Sequence, residues 1–162
     1  MSADYSSTEG RQNVFDPAIR PDLYEGVRTR RIFAFFFDAI FITILIALAA
    51  IIVGFMGIFT LGLAWFAYLF LGQAVALLYV AFTLGGPNAA TPGMRAMGLE
   101  MRLWYGARPY PLLAVMHALI FWFSVSLLTP FILLVSLFSD RKRLLHDIVL
   151  GTVVVNSAAL DR

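Results

Sequence analysis

Asp38 is the one charged residue between Ile32 and Leu84. An ionisable side chain near the centre of so apolar a run costs about 3 kcal/mol or more in a bilayer. Arg31 stands seven residues earlier. On an α-helix that spacing is about two turns, so the two side chains share a face and lie roughly 10 Å apart along the axis. Asp38 admits two chemistries. It can carry a proton or a cation inside a helix bundle, or it can accept hydrogen bonds from another segment, such as Gln73 or a hydroxyl, and so fix packing. Arg31 also has two: an interfacial anchor whose stem lies along lipid, or an ion-pair partner. The partner would be Asp147 if the chain folds back to the same rim, or Asp38 itself through a bridging water.

Further along, His146-Asp147 sets an imidazole beside a carboxylate that can orient it. No serine nucleophile or metal-ligand set accompanies the pair at a recognisable spacing, and there is no cysteine. Enzymatic catalysis, a cofactor and a metal site are therefore not expected, and a capping or docking role for the pair is. His117 lies in an apolar block with Ser124 seven residues on. It is a candidate to join a polar pathway with Asp38, or to hydrogen-bond a neighbouring helix. Thr91-Pro92-Gly93 is turn chemistry, with Gly93 supplying a conformation that residues with a Cβ avoid.

These residues need membrane elements to position them. The chain is 60% apolar and 14% charged over 162 residues. Its mean hydropathy is +0.83. A soluble domain is nearer 45–50% apolar, roughly, so lipid must solvate much of this surface. A net charge of +2 does not suggest nucleic acid as a partner. Residues 1–30 are polar, contain Pro17 and Pro21, and read as a flexible or loosely docked tail, with no signal-peptide pattern. In it, Asp16-Pro17-Ala18 is a candidate turn, and Tyr5, Phe15 and Tyr24 are candidates for headgroup contact.

A first span is expected over about 31–53, then a tight connection at Gly54 and Gly57, then a second span over about 59–84. Arg28, Arg30 and Arg31 before this hairpin and Arg95, Arg102 and Arg108 after it place its open end in the cytoplasm. Gly85-Gly86-Pro87-Asn88 is a turn. Residues 98–103 alternate apolar and polar as a half-covered strand does, and 151–156 reads as a second strand and its pairing partner. The third apolar block, 112–138, either crosses once or returns as a hairpin broken at Thr129-Pro130. A single crossing would leave Asp140-Arg141-Lys142-Arg143 outside, against the positive-inside tendency, and would separate the two strands. The fold class is thus an all-α membrane protein with a small two-stranded cytoplasmic β element, its membrane domain covering 31–156 and a short tail 157–162.

Together these motifs resemble the RDD family of bacterial membrane proteins. The family pattern at the first helix matches Arg31, Ala34 and Asp38; its loop matches Thr91-Pro92-Gly93, Arg95 and Gly98-Leu99, with Met94 where a lysine is usual. Its tail matches Arg141, Lys142, Arg143, His146, Asp147, Gly151, Thr152 and Val153. The match covers roughly residues 28–156 and makes Asp147 the second aspartate. The resemblance implies a multi-pass protein of the bacterial cytoplasmic (inner) membrane with its N-terminus inside. It leaves two functions open: transport of protons or monovalent cations, proposed for some members, or a non-transporting scaffold in which Arg31, Asp38 and Asp147 are fasteners. The lipid bilayer is the expected partner, with a second copy or another membrane protein beside it.

Overall fold

Val27–Phe59 forms one α-helix, α1, in the computed structural model, which describes residues 15–128 and 144–160. Its 33 residues make it about 50 Å long, well beyond a hydrocarbon core of roughly 30 Å. It contains no proline, and Phe33, Phe36, Phe37, Ile40, Ile44, Leu48 and Ile52 are all exposed on its flanks. Among the described residues it is the one helix long and apolar enough to cross a membrane.

The hairpin differs from the expected one in two ways. Gly54 and Gly57 do not end the helix but lie inside it. Their missing side chains make room for the returning chain, since a Cβ on Gly57 would stand 1.7 Å from Trp65 Nε1. Tyr68 Oη donates to Ala50 O at 2.6 Å in the same groove. The reversal comes later, where Leu61 and Gly62 take φ values of +52° and +92°. The second apolar run is not one straight helix either. A 3₁₀ stretch, Leu63–Leu69, precedes α2, Leu71–Thr83, at a bend of 64°. Aromatic residues stacked against the glycine groove hold the first part against α1, so it follows that surface rather than continuing the axis of α2.

Next come α3, Pro92–Ala96; β1, Leu99–Leu103; α4, Pro111–Leu128; α5, Leu145–Leu150; β2, Thr152–Asn156; and α6, Ser157–Leu160. The expected strand pairing is present: β1 and β2 are antiparallel, with Met101 opposite Val154 and Leu103 opposite Thr152. The chain between them therefore leaves from and returns to one place. The break at Thr129-Pro130 and the run Asp140-Arg141-Lys142-Arg143 lie outside the described residues, as do Met1–Val14 and the last two positions.

Both faces of this sheet are covered. Val154, Leu99 and Met101 pack with Val27, Ala34, Leu84 and Ala114 of the helices. Val153 and Val155 face the other way, onto Phe15, Leu23, Tyr24 and Ala159. That second layer corrects the reading of residues 1–30 as a tail, at least from residue 15 onward. Pro21 does not break structure but opens a 3₁₀ turn, Pro21–Tyr24, where a proline costs no hydrogen bond. Asp16 starts the expected turn, its Oδ1 accepting from Ala18 N at 2.9 Å. Phe15 and Tyr24 are each 2% exposed. Tyr24 Oη donates to Phe15 O at 2.8 Å, and Arg20 donates to Ala159 O. Alternation in the sequence gives a strand one apolar face, but the valines of β2 need two, and this segment supplies the second.

Candidate functional site

The face of α1 that carries Arg31, Ala34 and Asp38 meets α3 at Ala34 and Asp38 and α5 at Arg31. At Asp38 it meets the start of α3. Thr91 caps that helix, its Oγ1 accepting from Met94 N at 3.2 Å, and Pro92 takes the first helical position. The Asp38 carboxylate then receives Gly93 N at 2.8 Å and Tyr79 Oη at 2.6 Å on Oδ1, and Thr91 Oγ1 at 2.5 Å on Oδ2. An anion at a helix N-terminus, with donors on both oxygens, is favourably placed.

Ala34 and Gly93 make this approach possible. A Cβ on Gly93 would lie 2.3 Å from Ala34 O and 2.8 Å from Asp38 Cγ. Gly93 is therefore required for space. Its φ is not in the left-handed region, which corrects the expectation that conformation selects it. Ala34, 2% exposed, is the small residue that lets α3 sit on α1.

Arg31 turns the other way. Its Nη1 donates to Asp147 Oδ2 at 2.6 Å, with the Asp147 side chain fully buried and that of Arg31 16% exposed. The ion pair with Asp147 is thus formed, and the alternative pairing of Arg31 with Asp38 is not, because Asp38 points into α3. Asp147 Oδ2 also accepts from Leu144 N at 3.0 Å and so caps α5. On Oδ1 it accepts from Thr152 Oγ1 at 3.3 Å. His117 Nε2 and His146 Nε2 each stand 3.7 Å from the same Oδ1. The two imidazoles meet edge to face, with centroids 4.4 Å apart.

Burial alone would push the Asp147 carboxyl up; the Arg31 charge, the two imidazoles and the Arg31 hydrogen bond together outweigh it and hold the carboxyl below the usual carboxylate range. Burial pushes His146 down, against the pull of Asp147, so this ring is neutral near pH 7.

A cavity of about 450 Å³ joins the two centres. Asp38, Tyr79 and Thr91 line it together with Arg31, His117 and His146, and so do apolar side chains such as Phe35, Val80 and Phe121. His117 thus shares a cavity with Asp38, while its polar contact is with Asp147. Gln73 is exposed on α2 and takes no part at Asp38, where hydroxyls and a backbone N–H hold the carboxylate. Arg95 is exposed in the last turn of α3. The side chain of Ser124 lies outside the description.

The model of the RDD family matches residues 26–151. The chain belongs to the RDD family. No curated protein and no solved structure matches it. In this RDD protein the family arginine and second aspartate are the ion pair, and the first aspartate binds the Thr-Pro-Gly loop. Sequence reasoning missed Tyr79 and Thr152 as partners of the two carboxylates. The signal for Tyr79 was a hydroxyl within an apolar run that already contained a buried acid needing donors. Thr152 carried only its place in a strand and in the family's tail motif, neither of which names Asp147 as its partner.

Proposed function

We propose that this RDD protein is a multi-pass module of the bacterial cytoplasmic membrane, with N-terminus and sheet on the cytoplasmic side, whose polar residues fasten a helix–sheet junction. It works as a non-transporting scaffold that assembles with a membrane protein or a second copy of itself. The observation that carries this reading is the set of three donors that holds Asp38. Tyr79, Thr91 and Gly93 N tie both of its oxygens to the second apolar run and to the start of α3, the arrangement of a fastener, whereas an acid that hands on a proton or a cation would have to break these bonds in every cycle. Arg28, Arg30, Arg31, Arg95 and Arg102 at the sheet end support the cytoplasmic placement through the positive-inside tendency. The return of the chain to β2 supports a third apolar block that comes back to the same side.

The second reading is transport of protons or monovalent cations. What favours it is the cavity that reaches both Asp38 and the imidazoles. Reconstitution in lipid vesicles separates the two. Under the scaffold reading, wild type shows no proton-coupled cation flux under any monovalent gradient, and Asp38→Asn lowers the melting temperature in detergent. Flux in wild type that Asp38→Asn abolishes without loss of stability overturns it.

A further inference from the structure

We propose that His117, His146 and Asp147 form a binding site for a divalent transition-metal ion of the zinc, cobalt or nickel class, with one coordination position facing the cavity. Neither this site nor its ligand spacing is visible in the sequence, since His117 comes from α4 and the other two from α5. The fold brings one donor atom of each within 4.8 Å of the others.

The distances carry the argument. Each imidazole Nε2 is 3.7 Å from Asp147 Oδ1, beyond the roughly 3.2 Å reach of an N–H···O bond. An ion about 2.1 Å from two ligands at roughly 110–120° holds them about 3.4–3.6 Å apart. Both histidine–aspartate separations are therefore within a few tenths of an ångström of what coordination requires, and the two imidazole donors close in from within 4.8 Å. Nδ1 of both rings is buried without a partner among the described residues. No described residue fixes the tautomer through Nδ1, so a proton held on Nδ1 turns the Nε2 lone pair inward.

Asp147 is prepared on its other oxygen. Arg31 and Leu144 N hold Oδ2, which orients Oδ1 as hydrogen-bonded outer partners orient ligating carboxylates. Two imidazoles and one carboxylate select a borderline-soft ion over Mg²⁺ or Ca²⁺, which need all-oxygen shells. Arg31 and both histidines line the cavity. A fourth ligand enters from there, and the nearby guanidinium favours an anionic one, such as hydroxide or a carboxylate oxygen. The site stands whether or not the protein transports anything.

The test uses the full chain in detergent with any histidine tag removed, and Co²⁺ alone as the probe. Wild type should take up one Co²⁺ per chain, with visible absorption of nitrogen- and oxygen-bound cobalt, undisturbed by millimolar Mg²⁺. His117→Ala and His146→Ala should each weaken uptake by about tenfold or more. Absence of saturable uptake, or uptake unchanged in both variants, overturns the site. Should a variant fail to fold, the melting temperature of wild type decides. Co²⁺ in excess of its Kd should raise it by several degrees, and no rise overturns the proposal.

Discussion

Arg31 and Asp147 are 116 positions apart in the chain and 2.6 Å apart in the fold. The pair joins the mouth of α1 to the N-terminus of α5, which leads directly into β2. Removing one partner of such a buried pair leaves the other charged and unpaired, at a cost of about 3–5 kcal/mol. Asp147→Asn and Arg31→Met should each lower the melting temperature in detergent strongly. The double variant Arg31→Met with Asp147→Leu should fall short of the summed loss, since it leaves no orphaned charge. Additive losses in a double-mutant cycle would show that the two residues act separately.

The Asp38 shell can be taken apart one donor at a time. Tyr79→Phe and Thr91→Val each remove one hydrogen bond to a charged acceptor, worth about 1.5–3 kcal/mol. Thr91→Val also removes the cap of α3, for roughly 1 kcal/mol more, and should be the more damaging of the two. Thermal unfolding in one detergent ranks them; the reverse order would assign the larger share to Tyr79.

Close backbone approach at α3 predicts a third outcome. The atom nearest an added Cβ on Gly93 is the carbonyl oxygen of Ala34 at 2.3 Å, which cannot rotate aside. Gly93→Ala should therefore cost about 1–3 kcal/mol or more through overpacking, despite being the smallest possible change. Ala34→Val should disturb the same junction. A Gly93→Ala variant as stable as wild type would mean that α3 can slide along α1.

Acid should weaken the protein in two stages when measured with a chelator present. His146 is held neutral by burial, so below its ordinary pKa, about 6.5, the unfolded chain binds more protons than the folded one. Its contribution is complete above that pH and declines as pH falls toward the lowered folded value. Asp147 is depressed by Arg31, so its contribution is present above the ordinary carboxylate pKa of about 4 and is lost only below it. Melting temperature should fall between about pH 7 and 5 and again below about pH 4. His146→Gln should lessen the first decline, the neighbouring buried His117 keeping part of it, and leave the second; an unchanged first decline would place the titration elsewhere.

Much of the frame was legible from the residues. Charge isolation marked Asp38, turn chemistry marked Thr91-Pro92-Gly93, and period-two alternation marked β1, because each is a local property. The pairing of Arg31 with Asp147 was accessible as a geometric option once β2 was read as needing a partner strand. The docking of Phe15, Leu23 and Tyr24 was not, since a polar segment with two prolines reads as a tail until a second face of β2 must be covered. Gly54 and Gly57 suggested a turn because a glycine that clears space for a tryptophan looks, in sequence, like one that bends the chain. The meeting of His117 with His146 depends on how α4 lies against α5, and no local pattern encodes it.

The sheet gives this chain an order of assembly. β1 pairs with Thr152–Asn156, a segment made long after it in the chain. On the ribosome, α1 and α2 can form while the strand that pairs with β1, and the valine layer that receives Phe15 and Tyr24, do not yet exist. The N-terminal segment must wait for the C-terminal one. β2 thus closes a clasp, and a chain stopped at residue 150 would carry α1, α2 and α4 yet leave β1 and the segment from Phe15 to Tyr24 without the strand they dock on.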